Sequence, residues 1–184
     1  VRGAMTNRRW LRAFTLLALL IVLILFIIFQ GIETQLKAAG AAGGVIELEL
    51  AFSAERAATL IQAWPAGGSD LARRALWLDF LFIVGYAGGL TALLVQLAAS
   101  PRLTSWAPAL RRLTPLPLIA GALDILENIC LLAVVATMPS AGPLSLLAGV
   151  FASVKFALVG IALLAVLLAG AWSLRRESRT GAGG

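Results

Sequence analysis

Six residues able to carry charge or share a proton stand inside apolar runs of this chain: Asp79, Tyr86, Asp124, Glu127, Asn128 and Lys155. Three of them fall in one stretch, GALDILENICLL, residues 121–132. A charge at the centre of a bilayer costs about 2.5–3.5 kcal/mol on insertion scales, so such groups turn inward and pair. Lys155, in FASVKFALVG, is the only basic residue within any of these runs. Its simplest partner is Glu127, with Asp124 one turn away. Two or three carboxyls against one ammonium cannot all ionise cheaply in a dry site. One of them must keep its proton, or a further cation, a ligand amine or water must enter. The chemistry on offer is therefore ligand binding or proton relay. General acid–base catalysis by the carboxyl pair is the enzymatic alternative. No nucleophile elbow, HExxH or phosphate loop accompanies it, so the reading leans away from an enzyme.

The elements that must hold these groups are membrane helices. The chain is 60% hydrophobic with a mean hydropathy of +0.95, against about 45–50% apolar residues in soluble domains. Roughly 20 apolar residues cross a hydrocarbon core of about 30 Å. Four stretches qualify, at about 14–30, 75–98, 116–138 and 144–172. The expectation is an all-α membrane protein, a single four-helix transmembrane domain over 1–184. Residues 31–74 would form an extracytoplasmic cap and 173–184 a flexible cytoplasmic tail. The first run follows Arg8, Arg9 and Arg12, but it exceeds the 7–15 apolar residues of a signal-peptide core. It reads as a retained helix.

Spacing brings the polar residues together. The loop at 139–143 is short, so spans three and four form an antiparallel hairpin. Glu127 precedes Ala141 by as many residues as Lys155 follows it. At about 1.5 Å per residue both reach a similar depth, on the order of 17 Å below the outer end. Positions 124, 127 and 128 share one helix face. Asp79 and Tyr86 are two turns apart on span two and point the same way. Gly85 and Gly89 give that span a GxxxG spacing, and Gly149 with Ser153 gives span four a small-xxx-small spacing, both suited to close helix packing. Spans two, three and four are expected to meet around the polar centre. The first span, with no ionisable residue over 14–29, is expected to be the most lipid-exposed.

Charge placement sets the expected orientation. Arg2, Arg8, Arg9 and Arg12, then Arg102, Arg111 and Arg112, then Arg175, Arg176 and Arg179 fall on one side of four spans. That side reads as cytoplasmic, with both termini inside. Trp10, Trp106 and Trp172 would mark the inner interface, and Trp64 and Trp77 the outer. The net charge of +6 belongs to these flanks rather than to a hydrophilic basic face, so nucleic acid is not an expected partner. The chain has no His and one Cys, Cys130. No metal or cofactor is expected, and Cys130 reads as a small buried apolar residue.

Between the first two spans, VIELEL at 45–50 alternates apolar and acidic residues, a strand signal. SAERAATLIQAW then reads as a helix with Ser53 as N-cap and Glu55 in its first turn. Ala57, Leu60, Ile61 and Trp64 form its apolar face, and Asp70 would cap the following helix. The expected cap is a strand-like piece plus this amphipathic helix.

The stretches IELELAFSAERAATLIQAW, LDFLFIVGY and PLIAGALDILEN resemble, in order and spacing, a group of small bacterial four-span membrane proteins without assigned function. The resemblance covers roughly half the chain. It implies an integral protein of the bacterial inner membrane with cytoplasmic termini, and implies no activity. The favoured reading is a buried polar site that binds or moves a lipid, a small amphiphile or a proton. The alternative is a structural or accessory subunit, docked on a membrane-protein partner or a second copy.

Overall fold

In a computed structural model, the chain is described over residues 2–38, 43–137 and 142–181, with side chains over 9–38, 43–137 and 142–173. The elements are α1 (Arg2–Lys37), α2 (Val45–Glu49), α3 (Ala54–Ala63), α4 (Gly68–Ala98), a 3-10 turn (Pro101–Leu103), α5 (Ala107–Leu113), α6 (Leu116–Thr137) and α7 (Gly142–Gly181). Four stretches are long and apolar enough to cross a membrane: Arg9–Lys37, Gly68–Ala98, Ala107–Thr137 and Gly142–Ser173.

The long helices are set side by side. α4 and α6 form the middle, α1 packs on α4, and α7 packs on α6 and touches α4. Small residues set the close approaches. A Cβ on Gly85 would stand 3.0 Å from Val22 Cγ2, and one on Gly89 3.1 Å from Ala18 Cβ. The GxxxG face of α4 is thus filled by α1, not by the third or fourth span. Gln96 Nε2 donates to Thr15 Oγ1 at 2.7 Å across the same contact. α1 still carries a broad exposed apolar face, including Leu16, Leu20, Leu23 and Ile27. At the α4–α6 crossing, a Cβ on Gly121 would meet Ala87 Cβ at 3.1 Å and Ile83 Cγ2 at 3.2 Å.

The segment between α1 and α4 corrects the expected strand. Residues 45–49 are helical, and the described residues contain no strand. A lone strand cannot satisfy its backbone, whereas a helical turn satisfies part of it internally and receives a cap from outside. Glu33 of α1 provides that cap. Its Oε1 accepts the Val45 N–H at 2.7 Å and the Ile46 N–H at 3.3 Å. α3 follows the sequence reading: Ser53 Oγ accepts the Arg56 N–H at 3.2 Å. Its Ala57 and Leu60 are buried with Val45 and Leu48 of α2 against Leu36, Leu76, Leu131 and Ala148. Trp64 is buried as well, and its indole N–H donates to Gly43 O at 2.9 Å. It pins the cap rather than anchoring at an interface. α4 starts before Asp70, after Gly67 in the left-handed region (φ 81°). Asp70 lies in the first turn, paired with Arg73.

The cap rests on α7 through Phe52. This residue holds φ 56°, left-handed for a non-glycine, and such conformations persist only when neighbours enforce them. Its ring occupies the place a side chain at position 149 would take: a Cβ on Gly149 would sit 2.5 Å from Phe52 Cδ1. Gly149 therefore receives the cap, not another membrane helix, and Ser153 Oγ donates to the Gly149 carbonyl at 2.8 Å. Gly149→Val is expected to cost about 1–3 kcal/mol in thermal unfolding, the usual range for overpacking. Combined with Phe52→Ala, the loss should be less than additive.

Candidate functional site

The site forms where α2, α4, α6 and α7 converge. Lys155 Nζ on α7 lies 2.6 Å from Asp124 Oδ1 and 2.8 Å from Glu127 Oε2, both on α6. The one-face spacing of 124, 127 and 128 and the short α6–α7 connection produce this meeting. All four side chains are inside: Lys155 is 6% exposed, Asp124 3%, Asn128 1% and Glu127 0%. Asp124 uses its other oxygen as well, with the Tyr86 hydroxyl donating to Oδ2 at 2.9 Å. Asn128 Nδ2 donates to Asp79 Oδ2 at 2.6 Å. All six polar residues singled out in the sequence thus join one network.

Glu49 joins it from outside the expected set. Its Oε2 lies 3.6 Å from Lys155 Nζ, brought there by the last turn of α2. A sequence signal was present: on a helix, positions 45, 48 and 49 share a face. Val45 and Leu48 are buried on it, so Glu49 must point the same way. Four carboxyls, Glu49, Asp79, Asp124 and Glu127, therefore surround one ammonium. Glu127 Oε1 is buried without a hydrogen-bond partner. Cys130 is a buried free thiol one turn beyond Glu127, and the described residues hold no metal-binding group of His, Cys, Asp and Glu.

Burial pushes the Glu49 carboxyl up to about 7; Lys155 opposes this, and Asp79 and Asp124 add to it. Its ordinary value is 4.5, so the folded protein takes up a proton that the unfolded chain releases. The resulting stability is full below about pH 4.5 and is lost as pH rises through about 7. The slope follows from proton linkage. Thermal stability in neutral detergent is expected to fall across that window, by on the order of 3 kcal/mol. Glu49→Gln should flatten the part due to Glu49.

Beside this centre lies a cavity of about 410 Å³. Asp79, Tyr86, Asp124, Asn128, Lys155 and Glu49 form its floor. Its walls are apolar, from Leu19, Val22 and Phe26 of α1 and Phe156, Val159 and Leu163 of α7. Leu19, Phe26, Phe156 and Leu163 are exposed on its rims. α1 and α7 do not pack extensively on each other, so the cavity is a slot open sideways between them. Toward the α5 end, Leu94, Leu103 and Leu110 pack with Ala162, Ala165 and Ala169 into a second buried apolar cluster.

Fold and centre together define a multi-pass membrane protein, a bundle of four long apolar helices with a buried ionic network. No family model, curated protein or solved structure matches the chain.

Proposed function

We propose that this is an integral protein of the bacterial inner membrane, with both termini cytoplasmic, that binds a lipid or small amphiphile in the slot between α1 and α7. The observation that carries this is the joining of an apolar cavity, rimmed by exposed side chains, to a polar floor. An acyl chain would lie against α1 and α7, and a headgroup would meet Asp79, Tyr86 and Glu49. Ligand pockets of about 300–1,000 Å³ with mostly apolar walls and a few convergent polar groups are the usual form. Binding is favoured over proton passage by the buried apolar cluster of Leu94, Leu103 and Leu110 toward the α5 end.

Val159→Trp tests the reading by filling the slot without touching the ion pairs. Native mass spectrometry of protein extracted gently from its membrane should show a bound amphiphile in the wild type. The variant should lose it, with an unfolding midpoint within a few degrees of wild type. Equal retention by both proteins, or no bound amphiphile in the wild type, would refute a slot ligand.

A further inference from the structure

The charge inventory narrows the ligand. We propose that the slot takes a single-chain amphiphile with a protonated amine head, the ammonium lodging between Asp79 and Glu49 and the chain lying between α1 and α7. This rests on the slot being a binding site, as argued above, and adds the sign and chemistry of the head.

Three observations converge. The first is the surplus of acceptors. Lys155 is committed to Asp124 and Glu127 at 2.6 and 2.8 Å, and reaches Glu49 only at 3.6 Å. Asp79 has no ion pair among the described residues; it accepts from the neutral Asn128 amide at 2.6 Å and lies against the Asp124 carboxyl, which brings no positive charge. It is half-buried and lines the slot. An ammonium brings three donors and no acceptor, which is what this floor lacks. Glu127 Oε1, wholly buried and unpartnered, shows the same shortage of donors deeper in.

The second observation is aromatic. The Phe82 and Tyr86 rings, with centroids 5.7 Å apart, both line the slot. A cation against ring faces in a desolvated site is attracted by their quadrupoles. A carboxylate, sulfate or phosphate head would instead face Asp79 and Glu49 at close range, where like charges repel strongly. The third is size. About 410 Å³ lies near the lower end of ligand pockets, about 300–1,000 Å³. That suits one chain and a small head better than a two-chain lipid.

The test uses three probes of equal chain length: dodecylammonium, dodecanol and dodecanoate. Each is titrated against the full chain in phosphatidylcholine nanodiscs, with occupancy read by native mass spectrometry and Val159→Trp as the slot control. Dodecylammonium should bind at least about tenfold more tightly than dodecanol, the scale of one charge-assisted hydrogen bond, and dodecanoate should bind most weakly. Asp79→Asn should abolish the preference for the amine over dodecanol. Glu49→Gln, a change in the cap rather than in a membrane helix, should reduce the preference and gives the same readout if the Asp79 variant does not fold. Equal affinity for dodecanol and dodecylammonium, both displaced by Val159→Trp, would overturn the amine and leave the slot. A preference that survives both acid substitutions would also overturn it. Failure of all three probes to respond to Val159→Trp would remove the slot reading itself.

Discussion

Lys155→Met is expected to destabilise the protein by about 3–5 kcal/mol, the cost of stripping one partner from a buried ion pair. Methionine keeps most of the stem volume, so packing changes little. What disappears is the ammonium that stands within 2.8 Å of two carboxyls and 3.6 Å of a third. Asp124 and Glu127 are then left facing each other and Glu49 with no counter-charge and almost no water. The remedy is specific. Adding Asp124→Asn and Glu127→Gln to Lys155→Met removes the stranded charges, and replacing a whole buried pair by neutral groups is often near neutral for stability. The triple variant should recover most of the loss. Lys155→Arg should not substitute, since the planar guanidinium demands a different geometry from a point-like ammonium. Thermal midpoints in neutral detergent and expressed yield are the measurements. A Lys155→Met protein within about 1 kcal/mol of wild type, the scale of an exposed pair, would show that the centre is not held by this ammonium.

The meeting of α6 and α7 at this centre was legible because two counts agreed. Glu127 and Lys155 are equidistant from a short loop, and 124, 127 and 128 share a helix face. Both follow from helical rise and period alone. Tyr86 and Asp79 followed from the two-turn spacing. The partner of a glycine face was not legible. Gly85 and Gly89 announce close packing but not which helix uses it, and α1, devoid of polar markers, gave no sign that it would dock there. Glu49 was hidden for a different reason. Over six residues, VIELEL fits period 2 as well as a single helical turn. The choice was made by Glu33, twelve residues before Val45, whose carboxylate caps a helix and would have no such use on a strand. Composition alone points Trp64 to an interface, because a tryptophan near a span end suits one; the buried Gly43 O claims its N–H instead. The cap thus depends on contacts distant in sequence, whereas the ionic centre depends on local periodicity.

Glu33→Ala should release the cap while leaving the bundle folded. Glu33 is 8% exposed, and its Oε1 accepts the first amides of α2 at 2.7 and 3.3 Å. Its Oε2 lies 3.2 Å from Lys37 Nζ, which in turn reaches Glu47 Oε1 at 2.8 Å. Glu47 Oε2 accepts the Gly44 N–H at 2.7 Å. A five-residue helix has almost no hydrogen bonding of its own in reserve, so α2 depends on this outside acceptor. Gly44 is part of the same fit, since a Cβ there would fall within 2.0 Å of Glu33 Oε2. Hydrogen bonds to a charged group contribute about 1.5–3 kcal/mol each. Losing two should speed amide exchange at Val45 and Ile46 by at least roughly a hundredfold, while the amides of α6 stay protected. Glu33→Gln keeps one acceptor oxygen and should show a smaller increase. The consequence reaches the centre: α2 carries Glu49 to Lys155 and supplies Val45, Ile46 and Glu49 to the slot wall. Once α2 opens, Glu49 regains water, and the part of the pH-dependent stability assigned to it should shrink in the Glu33→Ala protein as it does in Glu49→Gln. Unchanged exchange at Val45 and Ile46 would mean that burial of Val45 and Leu48 holds the cap without the Glu33 carboxylate.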